Sequence, residues 1–391
     1  DPPAPTFLLG FDSIPIRAEK DLFDIAQWAV KLPGLASYLN EAPASQLAAH
    51  LADSQTPAGV EQGDWLEWQR RFQAHLTRYG HAIYDLDFAN PVPADDPAPI
   101  LETLKLFLQS READPSGLRR TNPHKRQQSA ADRRERATNL TLQRLGGLRL
   151  RMFRRTACAA QRFAPLREDG LAEVGLSYPL LRQMLRELGR RMVSDGMFES
   201  VDDVFWLKED EIQEAATLLD AGKTLSCRSA EIGHRKTAWL AARRLAPPVM
   251  LPQIRILGKN LGEVKAGRAL TRNGDTLKGV ATSPGRVTAP ARVLRGPEDF
   301  GQMRTGDVLV AAVTTPAWTP LFVRAAAVVT DVGGPLSHGS IVAREYGIPA
   351  VLGTGTATER IRNGQIITVD GTEGKVYLAT GDDLDEASDP A

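Results

Sequence analysis

The stretch Asp331–Ala350 constrains the fold and chemistry of this chain more than any other segment. The apolar run 326–330 before it predicts a buried strand, and Gly333-Gly334 predicts a tight turn. Ser337 has a side chain favoured at a helix N-cap, so His338 is predicted to be the first residue of a helix. The sequence therefore predicts a strand–turn–helix unit that places one histidine at a helix N-terminus.

This position gives the imidazole of His338 an environment that suits phosphoryl transfer. The first backbone N–H groups of the helix, at Gly339 and Ser340, form an anion site at the positive end of the helix dipole. Gly339 also lets a phosphate approach the backbone closely, and a neutral imidazole nitrogen is a nucleophile. A lone histidine at a helix start is equally typical of a cap or a surface residue, and its side chain is expected to be exposed.

The run Gly333–Ala350 resembles the signature of the phosphoenolpyruvate-utilising enzymes, which include phosphoenolpyruvate synthase, pyruvate phosphate dikinase and rifampin phosphotransferase. Flanking segments agree with the resemblance, namely 279–287, 306–310, 315–320 and 369–374. It covers residues 276–380 and implies a swivelling β/β/α domain in which His338 is phosphorylated. The residues that it implies at the phosphate are Ser337, Gly339, Ser340 and Arg344.

Two positions of the signature need separate comment. The dikinases carry threonine where this chain has Leu336, which excludes a regulatory phosphothreonine there and is closer to the rifampin phosphotransferase type. Arg344 matches an arginine of the family, and the alternative interpretation is an ordinary exposed helix arginine.

The fold class predicted for the whole chain is multidomain α and α/β. A mostly helical domain is expected over residues 1–275, a swivelling β/β/α domain over 276–380, and a disordered acidic tail over 381–391. Apolar residues recur at helical spacing in Asp21–Lys31, Val60–Tyr79, Ile100–Gln109, Ala130–Gln161, Tyr178–Asp195 and Ala230–Leu245, and residues 202–207 are expected to be extended. From Leu277 onward, short β-branched runs alternate with Gly and Pro, as is typical of strands.

The helical region is similar to the acceptor-binding domain of the rifampin phosphotransferase branch. The matching segments are Tyr79–Pro91, Leu166–Asp169, Leu185–Met192 and Asp202–Trp206. The resemblance implies that His81, Arg167 and Glu168 bind the acceptor. Where the family reads Gly-His-Arg-Gly, this chain has Ala82 after His81, so an arginine is missing. His81, with Asp85 and Asp87, is alternatively a residue that fixes a loop.

Composition limits the partners and the compartment. Apolar residues make up 42% and charged residues 25% of the chain, and the formal net charge is zero, which gives no bulk attraction to nucleic acid or membranes. Cys158 and Cys227 fit no metal site and indicate reduced thiols, so a cytoplasmic location is expected. The basic stretch 111–155 is typical of a solvated helix face or of a docking face for an acidic domain, and nucleic-acid binding is not expected.

The chain has no evident glycine-rich phosphate loop of nucleotide-binding type and no carboxylate cluster for Mg²⁺. No cofactor is therefore expected on this chain alone. In the family, ATP and Mg²⁺ belong to an ATP-grasp domain, which is the expected partner, and the start without Met fits an upstream domain that was lost or is encoded separately.

The resulting hypothesis is that ATP bound elsewhere phosphorylates His338, which passes the group to a small-molecule acceptor. A hinge near Asn260–Thr276 is expected to let the histidine travel between donor and acceptor. The alternative is a degenerate, non-catalytic homologue that acts as an interaction module.

Overall fold

The computed structural model describes residues 4–51, 53, 55–109, 122–242 and 275–378, together with the backbone of 255–256 and 259–260. The tail expected over 381–391, nearly all of the expected hinge and the first part of the basic stretch lie outside the described residues. By its internal contacts the chain forms two compact units. The first combines residues 1–84, 93–174 and 268–391, and the second combines 85–92 and 175–267.

The helical part of the first unit follows a short 3-10 helix at Ala4–Leu8. Its helices are α1 (Ile14–Ala29), α2 (Pro33–Glu41), α3 (Ala44–His50), α4 (Gln62–Tyr79), α5 (Ala98–Gln109), α6 (Pro123–Arg144) and α7 (Gly147–Ala172). Proline in the first turn of α1, α2 and α6 fits a position where its missing N–H costs nothing.

Helix α4 illustrates how sequence spacing builds this core. Trp65, Trp68 and Phe72 lie one turn apart and are each completely buried, and the two indole rings stack with centroids 4.9 Å apart. Burying a large apolar side chain stabilises a fold by roughly 1.5–3 kcal/mol. These three rings therefore anchor α4 within the helical core.

The single helix expected over 130–161 is wrong, because the chain breaks it after Arg144. Leu145 is extended and Gly147 has a φ of 56°, so α6 ends and α7 begins in a new direction. Apolar residues recur at helical spacing on both sides of the break, which hides it from a search for periodicity. Only the Gly146-Gly147 pair indicates the interruption.

The second unit contains α8 (Tyr178–Ser194), α9 (Glu209–Asp220) and α10 (Ser229–Ala242). Its apolar core includes Met192, Met197, Phe198, Val204, Leu207, Ala215, Leu225 and Ile232. The extended piece expected over 202–207 is wrong, because Val201–Trp206 is a 3-10 helix. Asp202 and Asp203 lie in its first turn, where negative charge favours helical backbone. The backbone of Arg255–Ile256 (β1) and Lys259–Asn260 (β2) forms a two-stranded antiparallel sheet.

The rest of the first unit is an eight-stranded mixed sheet with short helices. Its strands are β3 (Thr276–Lys278), β4 (Val280–Ser283), β5 (Arg286–Leu294), β6 (Val308–Ala311), β7 (Ala327–Thr330), β8 (Ala350–Leu352), β9 (Ile366–Asp370) and β10 (Lys375–Leu378). Its α-helices are α11 (Thr319–Arg324), α12 (His338–Tyr346) and α13 (Ala357–Arg360), with 3-10 helices at Pro297–Gln302 and Pro316–Trp318.

The strand order is β3-β10-β9-β5-β6-β7-β8-β4, and β5 to β8 run parallel at the centre. The first and last strands of this order are separated in the chain only by Gly279, so the sheet curls until its two ends approach. A Cβ atom at Gly279 would lie 2.7 Å from the carbonyl oxygen of Leu352, which is why this position has no side chain.

The predicted fold class is confirmed, because a mostly helical region precedes a β-rich domain with a few helices. The division into compact units differs from the domains expected over 1–275 and 276–380. The helices before residue 175 and the sheet belong to one unit, since Leu76 and Phe107 share an apolar core with Phe322 and Leu352. The expected boundary matches the start of β3 in sequence but not the division into compact units.

We expect Gly371→Ala to destabilise the first unit by roughly 2 kcal/mol or more. A Cβ atom there would lie 2.0 Å from the carbonyl oxygen of Ser283 and 2.8 Å from the amide nitrogen of Ala350, so backbone must shift. Urea unfolding checks this, with Gly301→Ala as control, because a Cβ atom at Gly301 meets nothing within 4 Å. Equal unfolding midpoints for the two variants would contradict the prediction.

Candidate functional site

His338 begins α12, as the sequence predicts, and a turn closed by two serines leads into it. Gly333 has a φ of 148°, which favours glycine, and Ser337 occupies the N-cap position. The Ser337 hydroxyl does not cap the helix but donates to the carbonyl oxygen of Gly334 at 2.9 Å. The Ser340 hydroxyl donates to the same oxygen at 2.6 Å. Both serines therefore hold the turn that orients the start of α12.

A backbone N–H group near His338 that was predicted to be free for an anion is hydrogen-bonded within the chain. The N–H of Ser340 donates to the carbonyl oxygen of Ser337 at 3.1 Å, so this group of the expected anion site has a partner. At Gly339 a Cβ atom would lie 2.6 Å from the Thr314 hydroxyl, so glycine here permits a close approach of Thr314. That Ser337, Gly339 and Ser340 contact a phosphate stays a prediction.

The expected exposure of His338 is wrong, because its side chain is buried and only 3% of the residue is accessible. Its Nδ1 atom lies 2.6 Å from Oε2 of Glu168 on α7. Its Nε2 atom lies 3.1 Å from the hydroxyl of Thr319 at the start of α11. The exposed position expected at a helix N-terminus is closed because α7, which is distant in sequence, covers it.

Glu168 is the electrostatic partner of His338. Burial alone would raise the pKa of its carboxyl group, but the hydrogen bond with His338 and the attraction of His338 and Arg167 lower that pKa below its usual value. Arg167 lies 3.1 Å from the second carboxylate oxygen, with about half of its side chain exposed. An ionised Glu168 accepts from Nδ1–H, so the carboxylate orients the ring with Nε2 towards Thr319. The structure thus brings two of the residues expected at the acceptor, Arg167 and Glu168, to the histidine.

A second buried cluster holds the far end of α12. Glu19 on α1 forms an ion pair with Arg126 on α6 and accepts a hydrogen bond from the Tyr346 hydroxyl. The Arg126 guanidinium also lies 3.7 Å from the centre of the Tyr346 ring, in cation–π geometry. The neighbouring Glu345 is fully enclosed, and burial raises the pKa of its carboxyl to about 7, against the opposing effects of Arg126 and the Gly10 N–H.

Arg344 lies in the last turn of α12, away from His338. Its guanidinium donates to the carbonyl oxygens of Thr282 at 3.0 Å and Pro335 at 2.7 Å. Burial lowers its pKa to about 10, which the nearby Glu345 opposes. In this arrangement Arg344 ties β4 to the turn before the helix, and its contact with a phosphate stays a prediction.

His81 lines a cavity of about 70 Å³ in the first unit. The cavity has mostly apolar walls and polar groups from Glu19, His75 and Thr319. Burial lowers the pKa of the His81 imidazole, and Glu173, 4.0 Å away, opposes this shift. Because Thr319 also contacts His338, the cavity adjoins the histidine.

The alternative interpretation of His81, Asp85 and Asp87 was that they fix a loop, and this holds for the two aspartates. Asp85 accepts from the backbone N–H of Asp87 at 2.8 Å and from the Asn90 amide at 2.7 Å. Asp87 accepts from the N–H of Ala89 at 3.0 Å. These local bonds stabilise residues 85–90, whereas His81 faces the cavity.

Sequence reasoning missed Thr319 and the cluster of Glu19 and Arg126. Thr319 lies within the segment 315–320 that already resembles the family, so this resemblance was the signal that could have found it. Glu19 and Arg126 carry no such signal, because a charged residue on an amphipathic helix is normally solvated. Their burial depends on the contact between α1, α6 and α12, which the sequence does not show.

Other expected features gain no assigned role. Cys158 and Cys227 are exposed and unpaired with each other. Within the described residues, no helix combines the length and apolar character needed to cross a bilayer, and no group of three or more His, Cys, Asp and Glu residues could hold a metal ion. In the described part of the basic stretch, arginines of α7 such as Arg151 and Arg154 are exposed beside Met152, and a docking role for them stays a prediction.

Comparison with protein families identifies two matching models. Residues 303–374 match the mobile domain of PEP-utilising enzymes, and residues 12–168 match the fourth domain of rifampicin phosphotransferase. The first match contains Thr319 and His338, and the second ends at Glu168. The two residues whose side chains meet at the buried site therefore come from different matched domains.

Curated relatives agree with these matches. A rifampicin phosphotransferase from a Streptomyces species is 30% identical over 94% of this chain, which covers 40% of that protein. The uncharacterized phosphotransferase YvkC of Bacillus subtilis is 40% identical over 51% of the chain and 24% of its own length. Chondramide synthase of Chondromyces crocatus is 29% identical over 95% of the chain and 10% of its own length. The chain thus spans two fifths or less of the length of these relatives.

We expect Glu345→Gln to change how stability depends on pH. The raised pKa, about 7 instead of 4.5, means that the folded protein holds a proton that the unfolded chain releases, so stability falls as pH rises from 4.5 to 7. The variant should lose this fall and exceed the parent at pH 8 by up to roughly 3 kcal/mol.

Urea unfolding between pH 4 and pH 8 tests this expectation. The matched control Glu359→Gln removes an exposed carboxylate of the same region and should keep the slope of the parent. Parallel curves for the parent and Glu345→Gln would contradict the prediction.

Proposed function

Because this chain belongs to the family of PEP-utilising enzymes, we propose that it is the phosphoryl-carrying part of a phosphotransferase, in which His338 takes up the group and passes it to a small-molecule acceptor. The observation that carries the proposal is the buried hydrogen bond of 2.6 Å between Nδ1 of His338 and Glu168. A carboxylate at Nδ1 fixes the imidazole so that Nε2 keeps its lone pair. Nε2 is then the nucleophile.

In the uptake step, the Nε2 lone pair forms a bond to phosphorus. The bond between phosphorus and the donor breaks, and its electron pair leaves with the donor. In the transfer step, an acceptor hydroxyl oxygen bonds to phosphorus while the P–N bond breaks. The electron pair returns to Nε2, which accepts the hydroxyl proton. In the transfer step, which takes place in the buried arrangement, Glu168 holds Nδ1–H and stabilises the positive charge on the ring.

The donor is proposed to be ATP with Mg²⁺, bound by an ATP-grasp domain outside this chain. The chain itself is proposed to bind no cofactor, since no nucleotide loop is evident in its sequence. The greater length of the relatives supports a further domain of this kind. The reaction is proposed to take place in the cytoplasm, where thiols such as the exposed Cys158 stay reduced.

The acceptor is proposed to be a hydroxyl compound that contacts Arg167, Glu168 and His81. Arg167 offers a half-exposed cation beside Glu168, and His81 lines a mostly apolar cavity that reaches Thr319. Relatives named rifampicin phosphotransferase support a small-molecule acceptor.

The burial of His338 implies movement. With 3% of the residue accessible, no donor reaches Nε2 in this arrangement. We therefore interpret it as the acceptor side of the cycle, and the domain that carries His338 must leave α7 before uptake. Ser337, Gly339 and Ser340 are proposed to meet the phosphoryl group, and Arg344 would join them only after releasing Thr282 and Pro335.

We expect His338→Ala to abolish phosphorylation at an acid-labile site. The full chain is incubated with phosphoramidate, a small donor that transfers its phosphoryl group to imidazole and releases ammonia, and the product is located by mass spectrometry. His234→Ala is the control, because His234 is exposed on α10 and should not matter. Undiminished labelling of His338→Ala would exclude His338 as the carrier. An unlabelled parent, with phosphoramidate and with an ATP-grasp domain of a relative, would favour the non-catalytic interaction module.

We expect Glu168→Gln to change the tautomer of His338. The carboxylate only accepts, whereas an amide both donates and accepts, so the preference for Nδ1–H should fall roughly tenfold or more. Ring nitrogen resonances in ¹⁵N NMR measure the tautomer directly. Glu173→Gln, which alters the neighbour of His81, should leave the tautomer unchanged. An unchanged tautomer in Glu168→Gln would show that the carboxylate does not fix Nε2 as the nucleophile.

A further inference from the structure

The segment 315–319 contacts both His338 and the chain that follows α4. The Thr319 hydroxyl lies 3.1 Å from Nε2 of His338. At its other end, the Thr315 hydroxyl donates to the carbonyl oxygens of Ile83 at 2.7 Å and Tyr84 at 3.0 Å. The indole N–H of Trp318 donates to the Tyr84 carbonyl at 2.9 Å. One buried segment therefore joins the reactive nitrogen to the contact with the helical region.

Thr319 travels with His338, whereas Glu168 does not. Thr319 lies inside the matched mobile domain 303–374, and Glu168 belongs to the matched helical domain. When the domain leaves α7, Nδ1 loses its carboxylate while Nε2 keeps its hydroxyl neighbour. Thr319 is thus the side chain that faces the reactive nitrogen in either position of the domain.

The Thr319 oxygen occupies the place where phosphorus must bind. A P–N bond is much shorter than the 3.1 Å contact, so a phosphoryl group on Nε2 displaces this oxygen. The Thr319 hydroxyl donates its single hydrogen to the carbonyl oxygen of Pro316 at 2.7 Å, so only its oxygen faces Nε2, and a rotamer change that clears Nε2 breaks the bond to Pro316.

The loss of this bond weakens the turn next to Trp318, in which the backbone N–H of Thr319 still donates to the same carbonyl oxygen. The Pro316 carbonyl belongs to the 3-10 helix Pro316–Trp318, which positions the indole ring. That ring lies edge-on to Phe300, with centroids 4.8 Å apart, and Phe300 lies edge-on to Tyr84 at 5.5 Å. A displaced Thr319 therefore loosens the turn whose side chains hold Tyr84.

We propose that Thr319 is a positioning residue that links the phosphorylation state of His338 to the grip of segment 315–318 on Ile83 and Tyr84. When Nε2 is free, Thr315 and Trp318 keep their hydrogen bonds to the carbonyl oxygens of Ile83 and Tyr84. When Nε2 carries a phosphoryl group, these hydrogen bonds are weakened. This inference rests on the proposed function, because it requires that His338 be phosphorylated.

Hydrogen exchange on the full chain tests the link. The chain is labelled with phosphoramidate, and amide exchange is compared before and after labelling in peptides that cover 80–84 and 315–319. We expect exchange there to accelerate roughly threefold to tenfold after labelling, the effect of losing one hydrogen bond. Peptides that cover β9 and β10 serve as the internal control and should not change.

Two variants separate the hydroxyl from the shape of the side chain. Thr319→Val keeps the shape without the hydroxyl, and should show the faster exchange even without phosphorylation. Thr319→Ser keeps the hydroxyl and should behave like the parent. In ¹⁵N NMR, Thr319→Val should shift the Nε2 resonance of His338 and leave Nδ1 unchanged, a pattern that general loss of stability does not produce.

The outcomes distinguish this inference from the proposed function. Full labelling of His338 with unchanged exchange overturns the link and leaves the carrier role intact. A chain that cannot be labelled at His338 overturns both. An Nε2 resonance that is the same in the parent, Thr319→Ser and Thr319→Val also overturns the link, because the hydroxyl then does not act on that nitrogen.

Discussion

The buried hydrogen bond between Glu168 and His338 is the interaction on which the arrangement of the site depends. It joins two parts of the chain that are 170 positions apart in sequence, and it takes a carboxylate and an imidazole out of water together. A buried carboxylate without a partner costs several kcal/mol. Each group therefore makes the burial of the other acceptable, and separation leaves two polar groups that only water can satisfy.

The other end of α12 repeats this principle with different chemistry. Arg126 is paired with Glu19 and lies over the Tyr346 ring, and burial raises the pKa of the neighbouring Glu345 to about 7, so that this carboxyl group adds little negative charge below neutral pH. Such a cluster contributes little net stability compared with apolar residues, but it tolerates only one geometry. The helix that carries His338 is thus held at both ends by directional contacts.

How much could be predicted differs between the strand–turn–helix unit and its surroundings. The start of α12 at His338 follows from local signals: two glycines, a serine and an apolar run. The burial of His338 does not follow, because the residue that covers it, Glu168, lies on a helix whose facing side the sequence does not specify. The resemblance to the family implied that Arg167 and Glu168 bind the acceptor. Only the structure shows that Glu168 contacts His338 and that Arg167 lies beside this pair. The break at Gly147 was missed because apolar spacing continues through it, and the 3-10 helix at 201–206 was missed because Val204, Phe205 and Trp206 are residue types typical of strands.

The short strands at the ends of the sheet have a consequence for the proposed detachment of this domain. The sheet ends in β3, with three residues, and β4, with four, and these meet at Gly279. A strand edge of this length presents few free N–H and C=O groups, so a detached domain offers little template for pairing with another chain. The parallel strands β5 to β8 stay enclosed between neighbours. In the proposed cycle, pairing at a strand edge is therefore not a route by which the detached domain would associate with itself.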